Sequence, residues 1–311
     1  MKKINSIYLI IAALIISSCI RQEETTINIS GAYALYPLVI KWSEEYKKEH
    51  EEINFNISAV GAGQGMADAL EGIVDLGLYS LALEQEDIEK GVWWVGLCSN
   101  TVLPTIYTFN PYLEKLKESG LTKEEFKGIF IDGSITDWGE ILDLNESKPI
   151  QVYTRSDASG AASTWAKYLG GKQKDLKGIG IQGDSALVTV VSKDPAGIAF
   201  SNTSYVYNIN TGKKRSGIEV IPIDLNGNGM IEKEEDFYDT QEAILEAIED
   251  GRYPSPPTRE LYFVAKDKPE KKAVIDFVEW ALTEGQKFVR ESGYVLIEQD
   301  KIDYYLNKLK Q

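Results

Sequence analysis

The chain has 311 residues, 43% of them hydrophobic, and sets Lys+Arg 33 against Asp+Glu 48 for a formal net charge of −15 at pH 7. That length and apolar content bury a large core and allow two lobes, and they exclude a disordered or fibrous chain. The acidic balance excludes a nucleic-acid binder, which presents a basic face, so any bound anion must be held by local donors against the field of the whole molecule.

The amino end reads as a targeting segment. Lys2-Lys3 precede an apolar run from Ile7 to Ile16, too short to span a bilayer but suited to the h-region of a signal peptide, here residues 1–18. Ile16-Ser17-Ser18-Cys19 looks like a lipobox, in which prokaryotic lipoproteins are cleaved before a cysteine that takes the lipid; the alternative is a plain secretory signal with an incidental cysteine. Residues 19–26 then form the lipidated Cys19 and a polar tether. Cys98 would be the one cysteine left in the folded body, and in Val92-Trp93-Trp94-Val95-Gly96-Leu97-Cys98 it reads as a small buried hydrophobe.

Strands and helices alternate from Ile27 onward. Thr26 to Ser30 has period two, and Pro37 marks an early helical position because its missing N–H breaks no bond there. A helix from Leu38 to His50 follows, with Leu38, Val39, Trp42 and Tyr46 as its core stripe and free amides near Leu35 and Tyr36 at its start. His50, the single histidine, lies at the end of that helix and is expected to face solvent, which leaves none for acid–base or zinc chemistry. The unit repeats as strand Ile53–Val60, the cluster Gly61-Ala62-Gly63-Gln64-Gly65, and a helix from Met66 to Glu71. Glycines at a strand-to-helix junction let the backbone approach a ligand at the positive end of a helix dipole. The spacing differs from the dinucleotide fingerprint.

A third junction is the most informative. Strand-like Pro149 to Tyr153 leads into Arg155-Ser156-Asp157-Ala158-Ser159-Gly160-Ala161 and a helix through Trp165 and Tyr168. Asp157 or Ser159 is the N-cap, and the amides around Ser159, Gly160 and Ala161 are the unpaired donors of a helix start. An arginine just upstream supplies a fork of donors for a tetrahedral oxyanion, with Asp157 placed to hold that fork. The same pattern also describes an ordinary capped helix with a surface Arg–Asp pair.

Further on, Asp224-Leu225-Asn226-Gly227-Asn228-Gly229-Met230-Ile231-Glu232-Lys233-Glu234-Glu235 has the spacing of an EF-hand calcium loop. The ligands would be the side chains of Asp224, Asn226, Asn228 and Glu235 and the carbonyl of Met230. Because the preceding segment is strand-like, loop 224–235 stands alone before a helix from Thr240 to Asp250, and a structural Ca2+ is expected rather than a sensor; a metal-free acidic turn is the alternative.

Gly31-Ala32-Tyr33-Ala34-Leu35-Tyr36-Pro37, Val60 to Gly65 with Gly72-Ile73-Val74-Asp75-Leu76-Gly77, and Arg155 to Ala161 together resemble the three ligand loops of the phosphate-binding lipoproteins of ABC importers, members of the type II periplasmic-binding-protein superfamily. Ile129 to Trp138, Asp194 to Phe200, Arg259-Glu260-Leu261-Tyr262 and Gly285 to Tyr294 extend the resemblance along the chain. It implies an α/β fold of two lobes joined by two crossover hinge strands around a central anion cleft. Lobe 1 is expected over residues 27–103 plus 258–311 and lobe 2 over 104–257, with crossings near Leu103-Pro104 and Pro257-Thr258. By the same resemblance Leu35, Tyr36, Ala62, Ser80, Arg155, Ser159, Gly160 and Ala161 hold the anion and Asp157 braces the arginine. Ala62 and Ala161 stand where relatives carry hydroxyl donors, and Ser80 where some carry the acid that accepts the proton of monohydrogen phosphate. The implied function is capture of phosphate without chemistry and delivery to an ABC permease, by a monomer anchored through Cys19 to the outer face of the cell membrane. The alternatives are another tetrahedral oxyanion such as sulfate, molybdate or tungstate, a secreted hydrolase using Ser159, and a structural surface protein.

Overall fold

A computed structural model describes residues 25–145 and 148–311. The expected signal peptide and Cys19 lie outside the described residues. In chain order the strands are β1 (Thr25–Gly31), β2 (Ile53–Ala59), β3 (Leu76–Tyr79), β4 (Trp93–Asn100), β5 (Val102–Tyr107), β6 (Gln151–Arg155), β7 (Ile179–Ile181), β8 (Gly197–Asn202), β9 (Ile218–Val220) and β10 (Arg259–Ala265). They form two five-stranded sheets, β2-β1-β3-β10-β4 and β7-β6-β8-β5-β9, each the centre of an α/β lobe. The centre of each sheet reads as continuous burial: every residue of β3 and of β8 is buried, as expected for strands covered by helices on both faces.

The chain changes sheets at two adjacent points. Asn100 pairs with Arg259 in the first sheet, while Val102 already pairs with Asn202 in the second, so the outward crossing is Thr101. The crossing expected near Leu103-Pro104 falls two residues earlier than Leu103. Pro104 looked like a break, yet it sits inside β5 at the end of the β9 ladder, where its carbonyl accepts from Ile221 N at 3.1 Å and its missing N–H forgoes only the reciprocal bond. The return lies between Pro257 and Arg259, and Thr258 Oγ1 donates to Thr101 Oγ1 at 3.1 Å, tying the two crossings together.

Each lobe has its own aromatic core. Trp42, Tyr46, Phe263 and Phe277 centre the first, where Trp42 Nε1 donates to Gly285 O at 2.8 Å. Phe126, Phe130, Trp165 and Phe200 centre the second, with the Trp165 and Phe130 rings edge to face at 5.7 Å. Cys98 is fully buried among the first set. His50 stacks on Tyr46 with centroids 4.0 Å apart and is partly exposed.

The first two helices differ in extent from the sequence reading. One runs Tyr36–Tyr46 and the other Ala62–Leu70, so the second starts four residues before Met66. Gly63 and Gly65 looked like loop, but both are helical, and at Gly65 the helix lies so close to the sheet that only glycine fits. A Cβ on Gly65 would meet Gly31 Cα first and then Ser30 O at 2.9 Å, and one on Gly77 would sit 2.5 Å from Gly65 O. This close packing brings the helix start to the end of β1.

Candidate functional site

Arg155 ends β6 and is 6% exposed. Its Nε and Nη2 donate to the two oxygens of Asp157 at 2.9 and 2.5 Å, and its Nη1 donates to Asp184 Oδ2 at 2.6 Å. Burial alone would disfavour the cation, but Asp184 and Asp157 outweigh it and hold the guanidinium above its ordinary pKa. Burial likewise opposes the Asp157 carboxylate, and Arg155 outweighs it, so that carboxyl stays below its ordinary value. Three of the five guanidinium donors are thus committed, leaving one N–H on each terminal nitrogen as a fork for a ligand. Asp157 holds two of the guanidinium donors. Asp184 is a second brace that sequence reading missed.

Ser159 is the N-cap of helix Gly160–Tyr168, with its Oγ accepting from Ala162 N at 3.3 Å. Its own N–H is not free, because it donates to Gln173 Oε1 at 3.1 Å. Gly160 and Ala161, both buried, are the helix-start amides with no acceptor among the described residues. The second junction is similar: Gly61 at φ 102° caps helix Ala62–Leu70 without a side-chain bond, and the buried Ala62 N–H opens it. The first junction corrects the expectation. Leu35 N and Tyr36 N each close a tight turn, onto Ala32 O and Tyr33 O at 3.2 Å, so these amides already have acceptors.

The lobes meet around these groups. A Cβ on Gly160 would lie 2.5 Å from Ser80 Oγ, and one on Gly61 would lie 3.1 Å from Asp157 Oδ2. Tyr205 OH donates to Tyr33 O at 3.0 Å, and the Arg155 guanidinium carbon stands 5.3 Å from the centroid of the Tyr33 ring. Ser80 is 2% exposed and its carbonyl accepts from Arg259 Nε at 3.0 Å. Ser80 is therefore set against Gly160, and the Gly61 turn that opens the helix of Ala62 against Asp157 of the Arg155 loop. Two guanidinium donors and two sets of helix-start amides in a water-poor site are what capture of a tetrahedral oxyanion needs.

The profile of the PBP superfamily domain matches residues 21–284. The chain belongs to the PBP superfamily. Among curated relatives, the phosphate-binding protein PstS of Methanocaldococcus jannaschii is 24% identical, over 96% of this chain and 92% of that protein. The phosphate-binding protein PstS of Xylella fastidiosa is 23% identical, over 88% and 82%. Among solved structures, a Clostridium perfringens protein assigned as a phosphate ABC transporter substrate-binding protein, with bound phosphate, superposes at TM-score 0.71 and 22% identity, covering 88% of this chain and 100% of that one. PfluDING, a high affinity periplasmic phosphate-binding protein bound with phosphate, superposes at 0.68 and 13% identity, over 90% and 93%. These likenesses show the two-lobe PBP fold.

Three acids bear on whether a carboxylate faces the ligand in place of one at position 80: Glu84 and Glu86, and Asp157 beside Arg155. Glu84 and Glu86, four and six residues on, are exposed; Glu84 caps the helix Gln85–Glu89 and Glu86 pairs with Lys90 at 2.8 Å. Asp157 has both oxygens on Arg155. None of these three offers Ser80 a free carboxylate.

The acidic loop lies away from the cleft, between β9 and helix Gln241–Glu249. Asp224 is 4% exposed and accepts the N–H groups of Gly227 and Gly229 at 2.7 and 2.8 Å, while Asn226 and Asn228 accept from Asn228 N and Met230 N at 2.9 Å. Glu235, 5% exposed, accepts from Leu225 N at 2.8 Å and Glu232 N at 3.3 Å. Among the described residues no three or more His, Cys, Asp or Glu side chains gather for a metal ion. The donor set here is two carboxylates with two amide oxygens and a carbonyl, which suits a hard cation taking oxygen ligands.

Proposed function

We propose that the chain captures phosphate outside the cytoplasm, performs no chemistry on it, and delivers it to an ABC importer. The observation that carries this reading is the pair of uncommitted Arg155 donors beside the Gly160 and Ala161 amides, closed over by Ser80 and the second junction. Closure strips the anion of water and strengthens each charge-assisted bond to it. The phosphate-binding relatives support the choice of ligand. Calorimetric titration with phosphate, sulfate and tungstate tests it, with Arg155→Ala as the control that should lose the signal. A second reading, capture of an unprotonated tetrahedral oxyanion, is favoured by a serine at position 80 with Glu84 and Glu86 exposed and Asp157 held by Arg155. The same titration ranks the two. The Ser159 hydroxyl serves as a helix cap, which gives the hydrolase alternative no supporting contact.

We further propose that loop 224–235 holds a structural Ca2+ through Asp224, Asn226, Asn228, the Met230 carbonyl and Glu235, and that the mature chain is a monomer held at the membrane by lipid on Cys19. Among the described residues no helix is long and apolar enough to cross a membrane. Mass spectrometry of the membrane fraction tests the anchor: a diacylglyceryl adduct on Cys19 supports it, and an unmodified Cys19 overturns it.

A further inference from the structure

The cleft holds a second guanidinium that does not belong to the anion's expected contacts. Arg259 opens β10 just after the return crossing, and its Cα partner is Asn100, the last residue before the outward crossing. Its Nε donates to the Ser80 carbonyl at 3.0 Å and its Nη2 to Asn202 Oδ1 at 2.8 Å. Asn202 is fully buried at the end of β8 and donates its Nδ2 to Asp184 Oδ1 at 2.7 Å. The other Asp184 oxygen receives Arg155 Nη1 at 2.6 Å. Direct hydrogen bonds therefore run from the lobe 1 loop at Ser80, across the hinge, to the arginine that faces the ligand.

The order of donors and acceptors along this chain has a consequence. An asparagine between an arginine and an aspartate has one satisfying orientation, oxygen toward the donor and nitrogen toward the acceptor. Without Arg259, nothing on that side holds the amide oxygen, and a flipped amide would set its oxygen against Asp184. Asp184 would then lose a donor and with it a fixed position. Which Arg155 donors stay free for the anion depends on where Asp184 sits. Burial, together with the like charge of Arg155, brings the Arg259 pKa down to about 10, so it remains a cation at neutral pH. Its Nη1 is sealed from solvent without a hydrogen-bond partner among the described residues. A buried cation with an unmet donor is retained at a cost that packing alone does not explain.

We propose that Arg259 is a positioning residue for anion capture: through Asn202 it locks Asp184 onto Arg155, and through the Ser80 carbonyl it sets the lobe 1 wall against Gly160. This rests on the capture reading above. The test measures phosphate affinity and dissociation rate, and the Arg155 Nε–H resonance identified by its loss in Arg155→Ala, for the parent, Arg259→Gln and Arg259→Lys. The expected result is a dissociation rate at least tenfold faster in Arg259→Gln, and a shifted Arg155 resonance even without phosphate. Arg259→Lys, which keeps the charge but not the two-point fork, should recover only part of the loss. A parental dissociation rate and resonance in Arg259→Gln would overturn the proposal, and so would full recovery by lysine, which would reduce Arg259 to a point charge. If the parent fails to bind phosphate, the capture reading falls by itself, and the ligand-free resonance still decides whether Arg259 positions Arg155.

Discussion

Gly160→Ala is the sharpest single perturbation of the cleft. Gly160 is the first residue of its helix, where alanine is ordinarily the better residue by roughly 1 kcal/mol. The added methyl would stand 2.5 Å from Ser80 Oγ and 2.6 Å from its carbonyl carbon, about 0.8 to 0.9 Å inside the 3.4 Å at which ordinary contact begins. Helix and sheet are both rigid here, so the relief is a slight opening of the lobes. An opening of about 1 Å lengthens a bond of about 2.9 Å beyond hydrogen-bonding range. Losing one or two charge-assisted bonds to the anion from the lobe 1 side costs about 1.5 to 3 kcal/mol each, or roughly tenfold to ten-thousandfold in affinity. The ligand-free melting temperature should stay level or rise, while calorimetry shows weakened phosphate binding and scattering shows a larger radius of gyration with phosphate added. Parental affinity, within about threefold, would refute the claim that closure of Ser80 on Gly160 is part of binding.

Arg155→Ala should weaken phosphate binding by about 2 to 5 kcal/mol in the same calorimetry, since it leaves buried groups without their partner; a loss under 1 kcal/mol would place Arg155 outside the site. The same variant should change the acid limb of stability. The Asp157 carboxyl is held below its ordinary value, so its contribution is full above about pH 4 and is lost as pH falls through the lowered value. Denaturation series between about pH 5 and 2 should show a shallower fall in Arg155→Ala than in the parent. Chelator should lower the melting temperature of the parent and leave Glu235→Gln unchanged, because an ion bound only by the native state stabilises it by mass action; identical parental curves with and without chelator would retire the calcium proposal. Sulfate or tungstate should compete measurably with phosphate in the parent, and Ser80→Asp should suppress that competition by facing an unprotonated dianion with a like charge. A parent that ignores a thousandfold excess of sulfate, about 4 kcal/mol of discrimination, would show that Ser80 is not the determinant.

The parts of the site that were legible in the sequence are those written locally. A strand, a glycine-bearing turn and a helix start occupy about ten residues, and Arg155, Asp157 and Ser159 fall within one such stretch. The parts that were not legible depend on distant pairing. Asp184 follows Gly183 at a helix start, where an acid reads as an ordinary first-turn residue; its role appears only when the fold sets it against Arg155, 29 positions away. Arg259 reaches Ser80 across 179 positions, and its Arg-Glu-Leu-Tyr context served only to mark the family. The amides of Leu35 and Tyr36 were misjudged for the opposite reason. Their turn is tight enough to give each an acceptor three residues back, which the start of a proline-marked helix does not announce. Pro104 likewise signalled a boundary that the end of the neighbouring ladder makes unnecessary.

A crystal structure of the chain grown with saturating phosphate is the most direct test of the central claim. One phosphate should lie between the lobes, its oxygens about 2.7 to 3.1 Å from both terminal nitrogens of Arg155 and from the Gly160 amide. A closed cleft with no anion at Arg155, or a phosphate ordered elsewhere on the chain, would contradict it.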